Sequence, residues 1–217
     1  MRAAVRMGRA SGSKSPPAQT ERVRKQMTGH TSPGYADKIN NLRHQKDEAF
    51  KFESWSPVPA EARLEFVGLA YFAPDERWRA KAQLHRLEGG GVFEMGTSTG
   101  EARPQLRFVR LDFATPHGKA SLVAYKDASH AHEHGHHEDR TLFLPFRDKT
   151  SGASTYGAGR YLDLREPTGD ELVVDFNLAY NPYCAYSESY SCPLPPPENW
   201  LEIPVEAGEK SYAHHPE

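Results

Sequence analysis

Two cysteines, Cys184 and Cys192, are all that 217 residues contain, too few for a disulfide framework and without the C-x-x-C pairing of zinc ribbons or thioredoxin-like motifs. Reduced thiols in the cytoplasm are the expectation. Long apolar runs are also missing: no stretch approaches the roughly 18 consecutive apolar residues that a membrane-crossing helix needs. No 7 to 15 residue apolar segment follows the basic N-terminus, so a secretory signal is not indicated. No nucleotide-binding glycine loop is present, which argues against nicotinamide or ATP dependence.

A positive charge excess is lacking where it would matter. The formal charge is -2, but residues 1 to 25 hold seven basic side chains against one acid, leaving a net of -8 for the rest. A mildly acidic body gives no electrostatic basis for nucleic-acid binding. No nucleic-acid and no membrane partner is therefore expected, and nothing in the sequence sets the oligomeric state. Residues 1–34 read as a disordered basic tail, with Met27 as an alternative start.

Hydrophobic residues make up 37% and aromatics 11% of the chain, enough for one sizeable core, expected over residues 35–212. Tyr35, Ile39, Leu42, Ala49 and Phe50 share one face of a helix that follows Ser32-Pro33 and ends near Phe52. From Arg79 the period becomes two. Ala80, Ala82, Leu84 and Leu87 form one β-like run, and Val109, Leu111 and Phe113 alternate with charged neighbours in another. Pro116-His117-Gly118 turns the chain into a return strand, Leu122 to Lys126. Thr141 to Phe146, Gly159 to Leu164 and Leu172 to Phe176 complete a mainly β pattern: an antiparallel meander forming a barrel or sandwich. The segment from Asn177 is rich in Pro and Tyr, unsuited to a helix or central strand, and reads as an irregular strap around the sheet.

Several segments resemble the family of domain of unknown function 1684, known from bacteria and archaea, over nearly the whole span from Lys46 to Lys210. They are Gly68-Leu69-Ala70-Tyr71-Phe72, Phe143-Leu144-Pro145-Phe146-Arg147-Asp148, and Thr155 to Asp163. Asp175-Phe176-Asn177, Asn181-Pro182-Tyr183-Cys184-Ala185-Tyr186 and Cys192-Pro193-Leu194-Pro195-Pro196 continue the match. The resemblance implies membership and domain limits but no activity. A His-rich insertion, residues 127–139, departs from its pattern.

That insertion holds five imidazoles and two carboxylates between His130 and Glu138. In an extended chain His132, His134 and His136 project to one side and could take a divalent transition metal opportunistically. The nominal H-E-x-x-H there needs a helix that Gly135 disfavours. Gly96-Thr97-Ser98-Thr99-Gly100 fits G-x-S-x-G, yet no helix follows to make a nucleophile elbow, so a turn is expected.

Arg147, Asp148, Tyr156, Arg160, Asp163, Asp175, Asn177 and Asn181 lie in or beside apolar strands. Arg160 shares a face with Leu162 and Leu164; if that face is interior, its charge must meet a carboxylate, with Asp148 or Asp175 the partner, or an anionic ligand. Two functions follow. The first is a small-molecule-binding barrel whose polar pocket uses Arg147, Tyr156, Arg160, Asn177 and Asn181. The second is a hydrolase or transferase with Cys184 as nucleophile, or with Asp148 and Asp175 as acid and base. Two buried structural thiols are the plain alternative for the cysteines.

Overall fold

The computed structural model describes residues 34–87, 91–128 and 140–212. The basic tail to residue 33 and the His-rich segment, with His132, His134 and His136, lie outside them.

Helix α1, Tyr35–Phe52, starts after Gly34, which takes φ 90° without a side-chain cap, and stops where Glu53 N–H donates to Ala49 O. Its buried residues are Ile39, Arg43 and Phe50. Leu42, expected on that face, is instead 41% exposed. Arg43 occupies the inward position because acceptors await it there: Nη1 donates to Phe72 O at 2.8 Å and Nη2 to Asn177 O at 3.3 Å.

Among the described residues seven strands follow: β1 (Arg79–Arg86), β2 (Val92–Gly96), β3 (Ala102–Thr115), β4 (Gly118–Asp127), β5 (Thr141–Phe146), β6 (Arg160–Arg165) and β7 (Glu171–Asp175). All pairings are antiparallel, in the order β6-β5-β4-β3-β1-β7, with β2 pairing the first half of β3. The sheet curls into a half-barrel. Sequence alternation did not reveal β2, and the G-x-S-x-G segment is the turn that joins it to β3, closed by Thr97 N–H to Glu101 O at 2.8 Å. After β6 the chain crosses the sheet, so that β7 pairs with β1 at the opposite edge.

One sheet face supplies the main core. Ala80, Ala82, Val109, Leu111, Phe113, Leu122, Leu142, Leu144, Leu162 and Val174 are buried there with Trp78, Phe146 and Phe176. Each large apolar side chain so covered contributes about 1.5–3 kcal/mol. Ala179, Leu201, Val205 and Ala207 of the C-terminal strap close this core.

The strap also repairs the sheet. Strands β4 and β5 pair at Tyr125 and Phe143, and Pro145 of β5 has no N–H to offer. Buried Asn199 fills the gap, accepting from Val123 N–H at 2.8 Å and donating to Val123 O at 2.8 Å and Pro145 O at 2.6 Å. A side chain thus replaces missing ladder bonds.

Candidate functional site

The polar residues singled out in the strands separate into distinct assemblies. Arg160 is fully buried, and its Nη2 lies 3.0 Å from Asp148 Oδ2, whose side chain is equally covered. The same guanidinium donates to three strap carbonyls: Val205 O at 2.8 Å, Glu209 O at 3.1 Å, and Ala207 O. Asp148 accepts in addition from Thr150 N–H, Thr150 Oγ1–H and Val205 N–H at 2.8, 2.6 and 3.1 Å. Burial pulls the Arg160 guanidinium below its ordinary range, and Asp148 opposes that shift. Arg147 does not join it: its guanidinium lies over the half-exposed Trp200 ring, 5.0 Å from the centroid.

Asn177 and Asp175 belong to another network. Asn177 accepts from Asp75 N–H at 2.9 Å and donates to Asp75 O at 2.9 Å and Asp175 Oδ1 at 3.0 Å. The Tyr35 hydroxyl donates to Asp175 as well, at 2.8 Å. Asn181 anchors the strap through Lys210 O and the Glu209 carboxylate. Sequence reasoning missed Glu209, which is 2% exposed. It accepts from Lys46 Nζ at 2.5 Å and from the Tyr186 hydroxyl at 2.7 Å.

The open site lies on the sheet face opposite the main core. Strand alternation brings Gln105, Tyr125, Asp127, Thr141, Phe143, Tyr161 and Asp163 to that face. With Lys46, Phe50 and Trp55 near α1 and Tyr180, Tyr183, Tyr190 and Cys192 of the strap they line a groove of about 840 Å³. Tyr161 stands edge-on to Phe143 (4.8 Å, 77°) and to Tyr180 (5.8 Å, 87°). Tyr183 meets Tyr190 edge-on at 5.2 Å.

Hydroxyl bonds lock these rings. Tyr180 donates to Asp163 at 2.7 Å, Tyr125 to Glu198 at 2.5 Å, and Tyr161 to Pro193 O. Burial first, then the Asp163 carboxylate, pushes the Tyr180 hydroxyl above its ordinary range, so it stays a neutral donor. Lys46 Nζ sits 4.9 Å from the Phe50 centroid and 5.1 Å from that of Tyr180. The charged lining residues are Lys46, Arg103, Asp127 and Asp163, balanced in sign.

Cys192 lines the groove and Cys184 lies beside it, its N–H 3.2 Å from Cys192 Sγ; both are free and buried. Tyr156, expected to orient a ligand, donates instead to Cys184 Sγ at 3.6 Å. A hydrogen bond from Cys192 lowers the Cys184 thiol to about 6 against the opposing effect of burial, with Tyr156 and Ser98 assisting. Donating to Cys184, together with burial, raises Cys192. No helix among the described residues is long and apolar enough to cross a membrane, and no three metal-ligating side chains cluster among them.

The model of a family described as "Protein of unknown function (DUF1684)" matches residues 64–210. The chain belongs to this family. A solution NMR structure of the uncharacterized protein from gene locus rrnAC0354 of Haloarcula marismortui is 40% identical, with a TM-score of 0.62, covering 82% of this chain and 95% of that one. Comparison with curated proteins finds no match. The matched DUF1684 span includes the sheet, the strap and both cysteines, whereas Lys46, Phe50 and Trp55 of the groove precede it. Segments that carry the DUF1684 resemblance meet in the groove: Phe143 from one, Tyr161 and Asp163 from a second, Pro182 and Tyr183 from a third, Cys192 and Pro193 from a fourth.

Proposed function

We propose that the protein binds a small, uncharged cyclic organic molecule in the aromatic groove. The observation that carries this reading is the lining itself: Tyr125, Phe143, Tyr161, Tyr180, Tyr183 and Trp55 around about 840 Å³. Ligand sites have this size and this mixture of apolar walls with a few polar groups. Ring faces are electronegative and attract the positive edges of C–H groups, while Gln105, Thr141, Asp163 and Ser191 offer hydrogen-bond partners for ring substituents. Two cations and two carboxylates create no field of one sign, so a polyanion gains little. The reading rests on the groove and not on Arg160, whose Nη donors are engaged by Asp148 and the strap.

The test titrates the full chain with benzyl alcohol and a methyl pyranoside, with benzoate and benzylamine as charged comparators. Trp55 emission, isolated by difference from a Trp55→Phe variant, is the signal. Neutral probes should give a saturable change at roughly millimolar concentration, as small fragments do. Tyr183→Ala, a change at a residue 38% exposed, should weaken it at least tenfold, by about 1.4 kcal/mol. Equal binding by that variant, or no saturable change, removes the reading.

A hydrolase or transferase with Cys184 as nucleophile is the second reading, favoured by its lowered thiol pKa of about 6. It requires iodoacetamide to react at neutral pH faster than with an ordinary thiol. Asp148 and Asp175 lie in different hydrogen-bond networks, which gives an acid–base pair no support.

A further inference from the structure

Cys184 and Cys192 make up a chemical centre distinct from the aromatic faces. The short helical turn Tyr183–Ala185 aims the Cys184 amide N–H at Cys192 Sγ, 3.2 Å away. Cys192 is fixed from the other side, its N–H donating to Ser98 Oγ at 3.1 Å and its carbonyl accepting from Ser98 N–H at 2.9 Å. The Tyr156 hydroxyl donates to Cys184 Sγ at 3.6 Å. Inert structural thiols sit in apolar surroundings that keep them protonated. Here each sulfur meets a fixed donor, the Tyr156 hydroxyl at Cys184 and the Cys184 amide N–H at Cys192, and such donors favour a thiolate over the inert protonated form.

We propose that Cys184 and Cys192 are a redox-active dithiol that hydroperoxides oxidise to an intramolecular disulfide. The Cys184 thiolate attacks one oxygen of hydrogen peroxide; the O–O bond breaks, a sulfenic acid forms, and hydroxide leaves. The Cys192 sulfur then attacks the sulfenic sulfur, an S–S bond forms, and the hydroxyl departs with the Cys192 proton as water. Each disulfide consumes one hydroperoxide, which accepts the two electrons the thiols lose.

Access selects the oxidant. Cys184 and Cys192 are only 6% and 7% exposed, but Cys192 lines the groove. A water-sized peroxide can enter by that route, whereas a bulky disulfide such as oxidised glutathione cannot reach the pair without displacing the strap. Closing the bond removes the thiolate that Tyr156 caps and ties the Tyr183–Ala185 turn to the segment of Cys192 and Pro193. Tyr183 and Pro193 both line the groove, so oxidation would reshape its wall.

The experiment treats the full-length reduced protein with a slight excess of hydrogen peroxide, then denatures it and alkylates with iodoacetamide. Wild type should lose both alkylatable thiols, fall in mass by about 2 Da, stay monomeric on a non-reducing gel and recover both thiols with dithiothreitol. Cys192→Ser should stop at the sulfenic acid, trapped by dimedone at Cys184, and Cys184→Ser should keep Cys192 alkylatable. Two alkylated thiols in treated wild type, disulfide-linked dimers in place of the internal bond, or equal dimedone labelling of both single variants would overturn the assignment.

Discussion

Replacing Arg160 should cost a large part of the protein's stability. The guanidinium neutralises a fully covered carboxylate at 3.0 Å and donates to three strap carbonyls. Breaking one partner of a buried ion pair costs about 3–5 kcal/mol, and each buried carbonyl left without a donor about 1 kcal/mol more. Thr150 and Val205 continue to solvate Asp148, which holds the loss to about 4–6 kcal/mol on these figures. Domains have only about 5–15 kcal/mol in total. Arg160→Met, which keeps much of the volume, is the informative variant, with urea unfolding followed by Trp emission. The Asp148→Asn variant and the double mutant complete a cycle whose coupling should exceed about 2 kcal/mol. An Arg160→Met protein within about 1 kcal/mol of wild type would refute the structural role. If it also lost benzyl alcohol binding, the ligand reading would move from the groove back to this cluster.

Asn199→Ala deletes three bonds that hold β4 to β5; a loss of about 2–4 kcal/mol in urea unfolding is expected, and Val123 should show accelerated amide exchange. Gly208 has φ 76°, and a Cβ there would fall 2.5 Å from Ala179 O, so Gly208→Ala should destabilise by more than about 1 kcal/mol and shift the chemical shifts of the Arg160 side chain. The rate of peroxide oxidation should rise with pH about a midpoint near 6, set by Cys192, Tyr156 and Ser98 around Cys184. Because the folded thiol pKa is depressed, its contribution to stability is fully present above the unfolded value of about 8.5. That contribution fades as pH falls through about 6.

The strands were legible because each places apolar residues at every second position, as Val109, Leu111 and Phe113 do. Strand β2 was not, since Met95 is its one buried residue and a five-residue strand with so short a pattern has no period to read. Arg43 against Leu42 failed for another reason. Helical periodicity ranks residues by polarity, but the acceptors that bury Arg43 come from Phe72 and Asn177, which no local pattern reports. The inward position of Arg160 could be read from Leu162 and Leu164; its strap acceptors lie 45 to 49 residues further along. The groove left a signal that went unused: Tyr125, Phe143 and Tyr161 occupy alternation positions opposite the core, where a solvated sheet face would carry polar groups.

Glu209 links the core to the groove, which makes its neutralisation a test of how rigid the site is. Its carbonyl accepts from Arg160, while its carboxylate holds Lys46, the Asn181 N–H and the Tyr186 hydroxyl. Lys46 in turn lies against the Phe50 and Tyr180 rings of the groove. Glu209→Gln preserves shape but leaves Lys46 without its counter-charge, so the ammonium should swing toward water and release the Tyr180 wall. Two effects are expected together: a stability loss of about 3–5 kcal/mol for breaking a largely buried pair, reduced by the 27% exposure of Lys46, and weaker benzyl alcohol binding because the wall must be ordered anew. Stability falling with binding unchanged would show that the strap holds the groove wall without Lys46. Binding falling with stability unchanged would instead make Lys46 a direct ligand contact, its ammonium facing the groove and not the strap.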